Sequence, residues 1–164
     1  MKFEIIKVSQ LSGRKATIYS VIVNDAPHTL FDQFLIENAS DFLTEVQDIT
    51  SRIRVIGHKT GAIETFFRKP EGKAGQDIFA LYDSPGSKLR LYCIRLGNVA
   101  VILGGGGPKP KNIRALQDDP KLKEENYILR EISDRLTQRI KEKEIRWSED
   151  GMELEGELTF SDED

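Results

Sequence analysis

Two short runs rich in β-branched and aromatic residues open the chain, Phe3 to Val8 and Ala16 to Val23. They are separated by Gln10-Leu11-Ser12-Gly13-Arg14-Lys15, where Ser-Gly is a turn signal, so the pattern predicts an N-terminal β-hairpin. The period then lengthens. Thr29 with Asp32 three residues later fits a capping box, and Leu30, Phe31, Phe34 and Leu35 form one apolar face of a first helix. Phe42, Val46, Ile49, Ile53 and Ile56 recur at spacings of three and four and predict a second helix, opening near Ser40 and stopped by Gly57. The short joint around Asn38-Ala39 makes the two an antiparallel pair.

The strand period returns after Gly57. Ile63 to Phe67, Asp77 to Tyr82, Leu89 to Leu96 and Val99 to Leu103 read as short strands, divided by Pro70-Glu71-Gly72, by Asp83-Ser84-Pro85-Gly86 and by a tight two-residue turn at Gly97-Asn98. This meander ends in Gly104-Gly105-Gly106-Gly107-Pro108-Lys109-Pro110-Lys111. A long helix follows from Pro120 to about Glu142, with Asp119 as N-cap and Leu122, Leu129, Ile132, Leu136 and Ile140 on its apolar stripe. Ile145 to Trp147 and Met152 to Phe160 predict a terminal hairpin turning at Asp150-Gly151, and Asp162-Glu163-Asp164 is expected to be disordered. The fold class is therefore α+β: an antiparallel meander packed against an N-terminal helix pair and a C-terminal helix.

At 164 residues the chain fits one domain. No apolar run approaches the ~20 residues that span a bilayer, and charges interrupt the N-terminal run, so neither a membrane segment nor a secretory signal is expected. The lone Cys93, in Leu91-Tyr92-Cys93-Ile94, excludes an internal disulfide and reads as a small buried hydrophobe. These features place the chain in a reducing cytoplasm. The net charge of −3 conceals a division. From Glu144 to Asp164 nine acidic residues face Arg146 alone, a balance of −8 that leaves +5 on residues 1–143. The chain thus divides into a mildly basic domain, 1–143, and an acidic C-terminal hairpin, 144–164. An acidic segment of this kind solubilises, or covers a basic face of its own chain.

Candidate chemistry concentrates between Ser84 and Gln117, where no acidic residue occurs while Lys88, Arg90, Arg95, Lys109, Lys111 and Arg114 all do. On a strand Arg90 and Tyr92 share one face and Arg95 takes the other. A Gly104–Lys111 loop folded back over the Arg90 face would bring Arg90, Lys109 and Lys111 onto one concave surface, suited to a phosphodiester, with Tyr92 beside it to stack a base. Spread along exposed edges, the same residues are ordinary solvated cations. The four glycines are a poor phosphate cradle: Pro108 and Pro110 lack donors, and no Gly-Lys-Ser/Thr follows. They read instead as a place of close backbone approach at the strand exit. His28 and His58 lack neighbours at metal-ligand spacing and read as surface residues. No Ser or Cys nucleophile is marked by its context, and no cofactor or metal is implied.

Taken together, the helix pair followed by Ala80-Leu81-Tyr82-Asp83, Leu89-Arg90-Leu91-Tyr92 and Val101-Ile102-Leu103-Gly104 with Lys109-Pro110-Lys111 resembles the RelE/ParE superfamily of toxins from type II toxin–antitoxin modules, and within it the HigB-like, phage-derived branch. The resemblance covers roughly Thr29 to Arg114. It implies a ribosome-dependent mRNA endoribonuclease that works without metal, and an antitoxin protein as partner. By position, Arg90 would contact the scissile phosphate, Lys109 and Lys111 would stabilise transition-state charge, and Tyr92 would stack or move a proton. Lys88, Arg95 and Arg114 would be flanking RNA contacts. The chain departs from the pattern where Gly and Pro replace the aromatic before the lysine pair, where Pro110 splits that pair, and at Tyr82-Asp83, where the family often carries Glu-Arg. A non-catalytic interaction protein on the same scaffold and a ParE-like topoisomerase inhibitor are the alternatives.

Overall fold

The computed structural model describes residues 1–70, 77–81, 86–110 and 119–162. Its centre is a mixed, mostly antiparallel sheet of seven strands. In chain order these are β1 (Phe3–Lys7), β2 (Thr17–Val23), β3 (Phe67–Pro70), β4 (Ile78–Leu81), β5 (Leu89–Leu96), β6 (Ala100–Pro108) and β9 (Thr159–Phe160). Across the sheet they lie in the order β3-β4-β5-β6-β2-β1-β9. The predicted N-terminal hairpin forms, with Phe3 opposite Val23 and Lys7 opposite Tyr19. The sheet is larger than the predicted meander because β2 runs parallel to β6, with Thr17 opposite Ala100 and Tyr19 opposite Ile102. β7 (Ile145–Trp147) and β8 (Leu154–Gly156) form the separate terminal hairpin.

Helices cover both faces, which is why β5 is buried without a break from Leu89 to Ile94 rather than alternating in and out. On one face Leu89, Leu91, Cys93, Val101 and Leu103 pack with Phe31 and Phe34 of α1 (Leu30–Asn38) and with Val46, Ile49 and Ile53 of α2 (Leu43–Val55). On the other, Tyr92, Ile94, Ala100 and Ile102 pack with Leu122, Leu129, Ile132 and Leu136 of α3 (Pro120–Lys141). Full burial of each such side chain is worth about 1.5–3 kcal/mol, so the two stripes anchor both layers. No described helix is long and apolar enough to cross a membrane.

The helix starts follow local chemistry. Thr29 Oγ1 accepts the Asp32 N–H at 3.1 Å, and the Asp119 carboxylate accepts the Leu122 N–H at 2.9 Å with Pro120 in the first turn. α2 begins at Leu43 without a side-chain cap and ends at Val55, but the helical path does not stop at Gly57. A π-helical turn, Ile56–Thr60, carries the chain to Gly61, whose φ of 79° ends it. Of the predicted Ile63–Phe67 strand only Phe67 joins β3, because Glu64–Phe66 form a 3-10 turn. The β5–β6 turn takes three residues, 97–99, since Leu96 pairs with Ala100. The turns at Glu71-Gly72 and at Asp83-Ser84-Pro85, with Tyr82 and the terminal Glu163-Asp164, lie outside the described residues.

The largest departure concerns the glycines. They do not form a loop: β6 continues through Gly107 to Pro108, with Gly106 opposite Leu91 and Gly107 opposite Arg90. The register slips between the Leu91 and Cys93 pairs, placing one extra residue in β6 around Gly104-Gly105, a β-bulge. A Cβ on Gly106 would lie 1.8 Å from the Arg90 carbonyl oxygen, whereas one on Gly107 would meet nothing nearer than Lys121 Cγ at 3.5 Å. Gly106→Ala is therefore expected to destabilise the chain by about 3 kcal/mol, while Gly107→Ala stays within about 1 kcal/mol of the parent. Urea denaturation midpoints of the two variants compare them directly, and equal midpoints would contradict the packing described.

Candidate functional site

The ends of β5 and β6 bring two of the predicted cations together. Leu89 pairs with Pro108, and one residue beyond it the Lys109 N–H donates to the Lys88 carbonyl at 2.7 Å. From the helix layer the Glu45 carboxylate accepts the Lys88 N–H at 2.5 Å, which fixes the start of β5 against α2. The Lys88 side chain is exposed and that of Lys109 half-buried. Lys111 and Arg114 lie outside the described residues.

Arg90 and Tyr92 do share a face, as the strand period requires, but the face is closed. Arg90 is 7% exposed and Tyr92 5%, and Tyr92 belongs to the core that packs against α3. The glycine strip makes this closure possible. The positions where Gly104, Gly105 and Gly107 lack a Cβ are filled by Leu129, by the Glu125 carboxylate, and by Lys121 with Leu122. Instead of folding a loop over Arg90, the chain lays the first turns of α3 across β6. Glu125 is itself only 8% exposed; one carboxylate oxygen accepts from Lys121 Nζ at 2.8 Å, and the other is buried with no hydrogen-bond partner among the described residues. Lys121 also reaches Glu37 of α1 at 3.4 Å. Burial pulls the Lys121 ammonium down, but hydrogen bonding and charge from Glu125, then from Glu37, outweigh it and hold the group above its ordinary value. This Glu37–Lys121–Glu125 set joins α1 to α3 around the end of the sheet. Sequence reasoning passed over it, although the four-residue spacing of Lys121 and Glu125 was its signal.

Arg95 is elsewhere. It leaves the opposite face of β5, five residues or about 17 Å along the strand from Arg90. Its Nε donates to the Ala62 carbonyl at 2.7 Å, its Nη2 to Asn98 Oδ1 at 2.6 Å, and its guanidinium sits 5.8 Å from the Phe67 ring centre. It clamps the β5–β6 turn to the segment after α2. The described residues of the acidic C-terminal segment do not cover the Lys88–Lys109 end either. β9 is the edge strand beside β1, separated from β6 by β1 and β2, and the β7–β8 hairpin lies at the other end of β2, where Thr17 Oγ1 donates to the Met152 carbonyl. Its acids pair locally: Glu153 with Lys7 at 2.7 Å and Asp162 with the N-terminal ammonium at 2.9 Å.

No protein-family model matches this chain, and neither a curated protein nor a solved structure matches it.

Cys93 lies in the core, fully buried, as its apolar neighbours predict. Burial pushes its thiol up to about 12, so no thiolate nucleophile forms near neutral pH. Because the folded value is raised, the stability this group contributes is complete below the ordinary thiol value of about 8.5 and is lost as pH rises from there toward about 12. The native chain should accordingly resist a thiol-specific reagent at pH 8 and react on addition of denaturant. Above pH 9 its unfolding midpoint should fall more steeply than that of Cys93→Ala. Rapid labelling of the native chain would contradict this burial.

Proposed function

We propose that this chain is a RelE/HigB-like, toxin-type domain that cleaves mRNA at the ribosome through a metal-free cationic site, with an antitoxin protein as its partner. The observation that carries the reading is the meeting of Lys88 and Lys109, drawn from the two ends of an acid-free segment by the pairing of β5 and β6. A helix pair, then a meander with a basic strand end, then a helix across the sheet support the family reading; the N-terminal hairpin and the edge strand β9 extend that scaffold.

The chemistry needs no bound group. The ribose 2′-oxygen attacks the adjacent phosphorus, losing its proton to solvent. The P–O5′ bond breaks, and the leaving 5′-oxygen takes up a proton, giving a 2′,3′-cyclic phosphate and a 5′-hydroxyl. Charge grows on the phosphorane oxygens, and fixed cations beside them lower the barrier. In this reading Lys109 and Lys88 make that contact. Arg90, one residue in from the strand end and closed beneath α3, adds positive potential and orders the strand. The ribosome supplies the orientation of the message.

A second reading has its own observation. Arg90 and Tyr92, two of the four residues that the family resemblance makes catalytic, are buried at 7% and 5% exposure. That favours a non-catalytic interaction protein built on the same fold. Expression in growing cells separates the two. The catalytic reading expects arrested growth and translation-dependent mRNA cleavage, reduced about 100-fold by Lys109→Ala. Intact mRNA, normal growth and a stable protein partner in pull-downs would establish the interaction reading in its place. DNA breaks with intact mRNA would point to topoisomerase inhibition.

A further inference from the structure

A second group of basic residues lies at the opposite end of the sheet. Arg14 and Lys15 occupy the turn between β1 and β2, His58 and Lys59 the π-helical turn after α2, and all four side chains are exposed. Two glycines bring these distant segments together. A Cβ on Gly13 would fall 2.4 Å from the Gly57 carbonyl oxygen, and one on Gly57 would fall 2.2 Å from the Leu11 carbonyl oxygen. Only backbone against backbone closes so tightly. The Gly57 carbonyl then accepts the N–H of both Lys15, at 2.9 Å, and Ala16, at 3.1 Å. An open cavity of about 540 Å³ lies beside the junction, lined by Lys7, Ser12, Arg14 and His58 together with Asp150 and Glu153.

Of the acids on that rim Glu153 is paired with a cation and Asp150 keeps its charge within its own turn, whereas most of the cations have no acidic partner among the described residues. Glu153 holds Lys7 at 2.7 Å. Asp150 accepts from Ser148 Oγ at 2.6 Å and from the Met152 N–H at 3.0 Å, and these hydrogen bonds hold its carboxyl below the ordinary range. Arg14, Lys15 and Lys59 make no side-chain hydrogen bond or ion pair among the described residues. The C-terminal end of α2 accounts for basic residues at His58 and Lys59, since a helix end favours them. It does not account for Arg14 and Lys15, which arrive from another segment. The described large hydrophobic side chains that are exposed, Ile36, Leu43 and Tyr127, belong to the helices and leave this surface without an exposed apolar anchor; of the residues lining the cavity Met152 alone carries a large apolar side chain, and it is half-buried. A protein interface is built around such an anchor, whereas a phosphate backbone requires only positive charge and donors.

We propose that Arg14, Lys15, His58 and Lys59 form a binding surface for the phosphate backbone of single-stranded RNA. It is a second contact, separated from the Lys88–Lys109 end by the length of the strands, and it rests on the RNA-directed reading above. RNA held at both ends of the sheet would be oriented along it, which a single cationic point cannot do.

Fluorescence anisotropy of a short labelled single-stranded RNA with the full chain, over a series of salt concentrations, tests the surface. Wild type is expected to bind with strong salt dependence. The pair Arg14→Glu with Lys59→Glu should weaken binding more than 10-fold, and the slope of log affinity against log salt should shrink by about 1.4, or roughly 0.7 for each phosphate no longer neutralised. Melting temperatures verify that the fold is retained; if charge reversal lowers them, Arg14→Ala with Lys59→Ala carries the same test. Unchanged affinity and slope in the variant would overturn the proposal. So would absence of RNA binding by wild type, or binding of a polyglutamate peptide in place of RNA, which would assign the surface to an acidic protein. RNA binding by a chain that leaves cellular mRNA intact would remove the catalytic reading alone.

Discussion

Four consecutive glycines in a central, doubly covered strand are the constraint on which the structure turns. β6 needs two faces buried, yet along Gly104–Gly107 it has no side chains with which to fill space. The surroundings must come to it. α3 fills the gap from one side with Leu129, Glu125, Lys121 and Leu122, and α1 packs on the other. Within the sheet, Gly106 admits the Arg90 carbonyl at a distance that no Cβ permits. The bulge at Gly104-Gly105 follows from the same freedom, because an extra residue without a side chain can be absorbed in the ladder without displacing either helix.

This strip links packing to electrostatics. A helix seated so low places the polar residues of its first turns near the sheet, and Lys121 and Glu125 meet Glu37 of α1 there. Ser20 performs the corresponding task farther along β2: its hydroxyl donates to the Leu103 carbonyl and accepts the Phe31 N–H, tying β2, β6 and α1 together inside the core. Buried polar groups of this sort fix how the layers register, since displacing a helix by one turn would leave them without partners. Arg90 lies in the same closed layer. A candidate substrate contact and the packing of α3 therefore share one face.

What could be read from the sequence was what is local. The Thr29 and Asp119 caps, the α2 stripe and the core character of Cys93 each depend on residues within a few positions, and each has a direct physical signature. The meeting of Lys88 and Lys109 was not within reach, because it depends on a three-residue turn and on the bulge at Gly104-Gly105, where a two-residue turn and a loop were expected. The parallel pairing of β2 with β6 was not either, since strand period does not name a partner. Gly57 read as a helix stop, but its lack of a side chain serves the approach of Leu11, and Gly61 ends the helical path instead. Arg90 read as a phosphate contact and Arg95 as a flanking RNA contact, both at the surface. Burial of the first depends on α3 crossing the glycines, and the clamp made by the second depends on a carbonyl 33 residues away.

The acidic segment shows how charge imbalance can mislead when geometry is unknown. Summed charge pairs the −8 of the C-terminus with the +5 of the domain and implies a lid. The apolar residues of that segment decide otherwise. Phe160 stacks on Phe3 at 4.2 Å, Arg139 lies 3.7 Å over its other face, and β9 completes the β1 edge. These contacts hold the acids beside the chain termini and along the rim of the Arg14–His58 cavity, where Glu153 neutralises Lys7 and Asp150 is bound into its own turn. Coulomb attraction across the breadth of the sheet, screened beyond roughly 8–10 Å by ordinary salt, cannot compete with a stacked aromatic pair and a strand ladder. The acids thus border one cationic surface and stay away from the other, and each surface keeps the charge that its own backbone junction gathers.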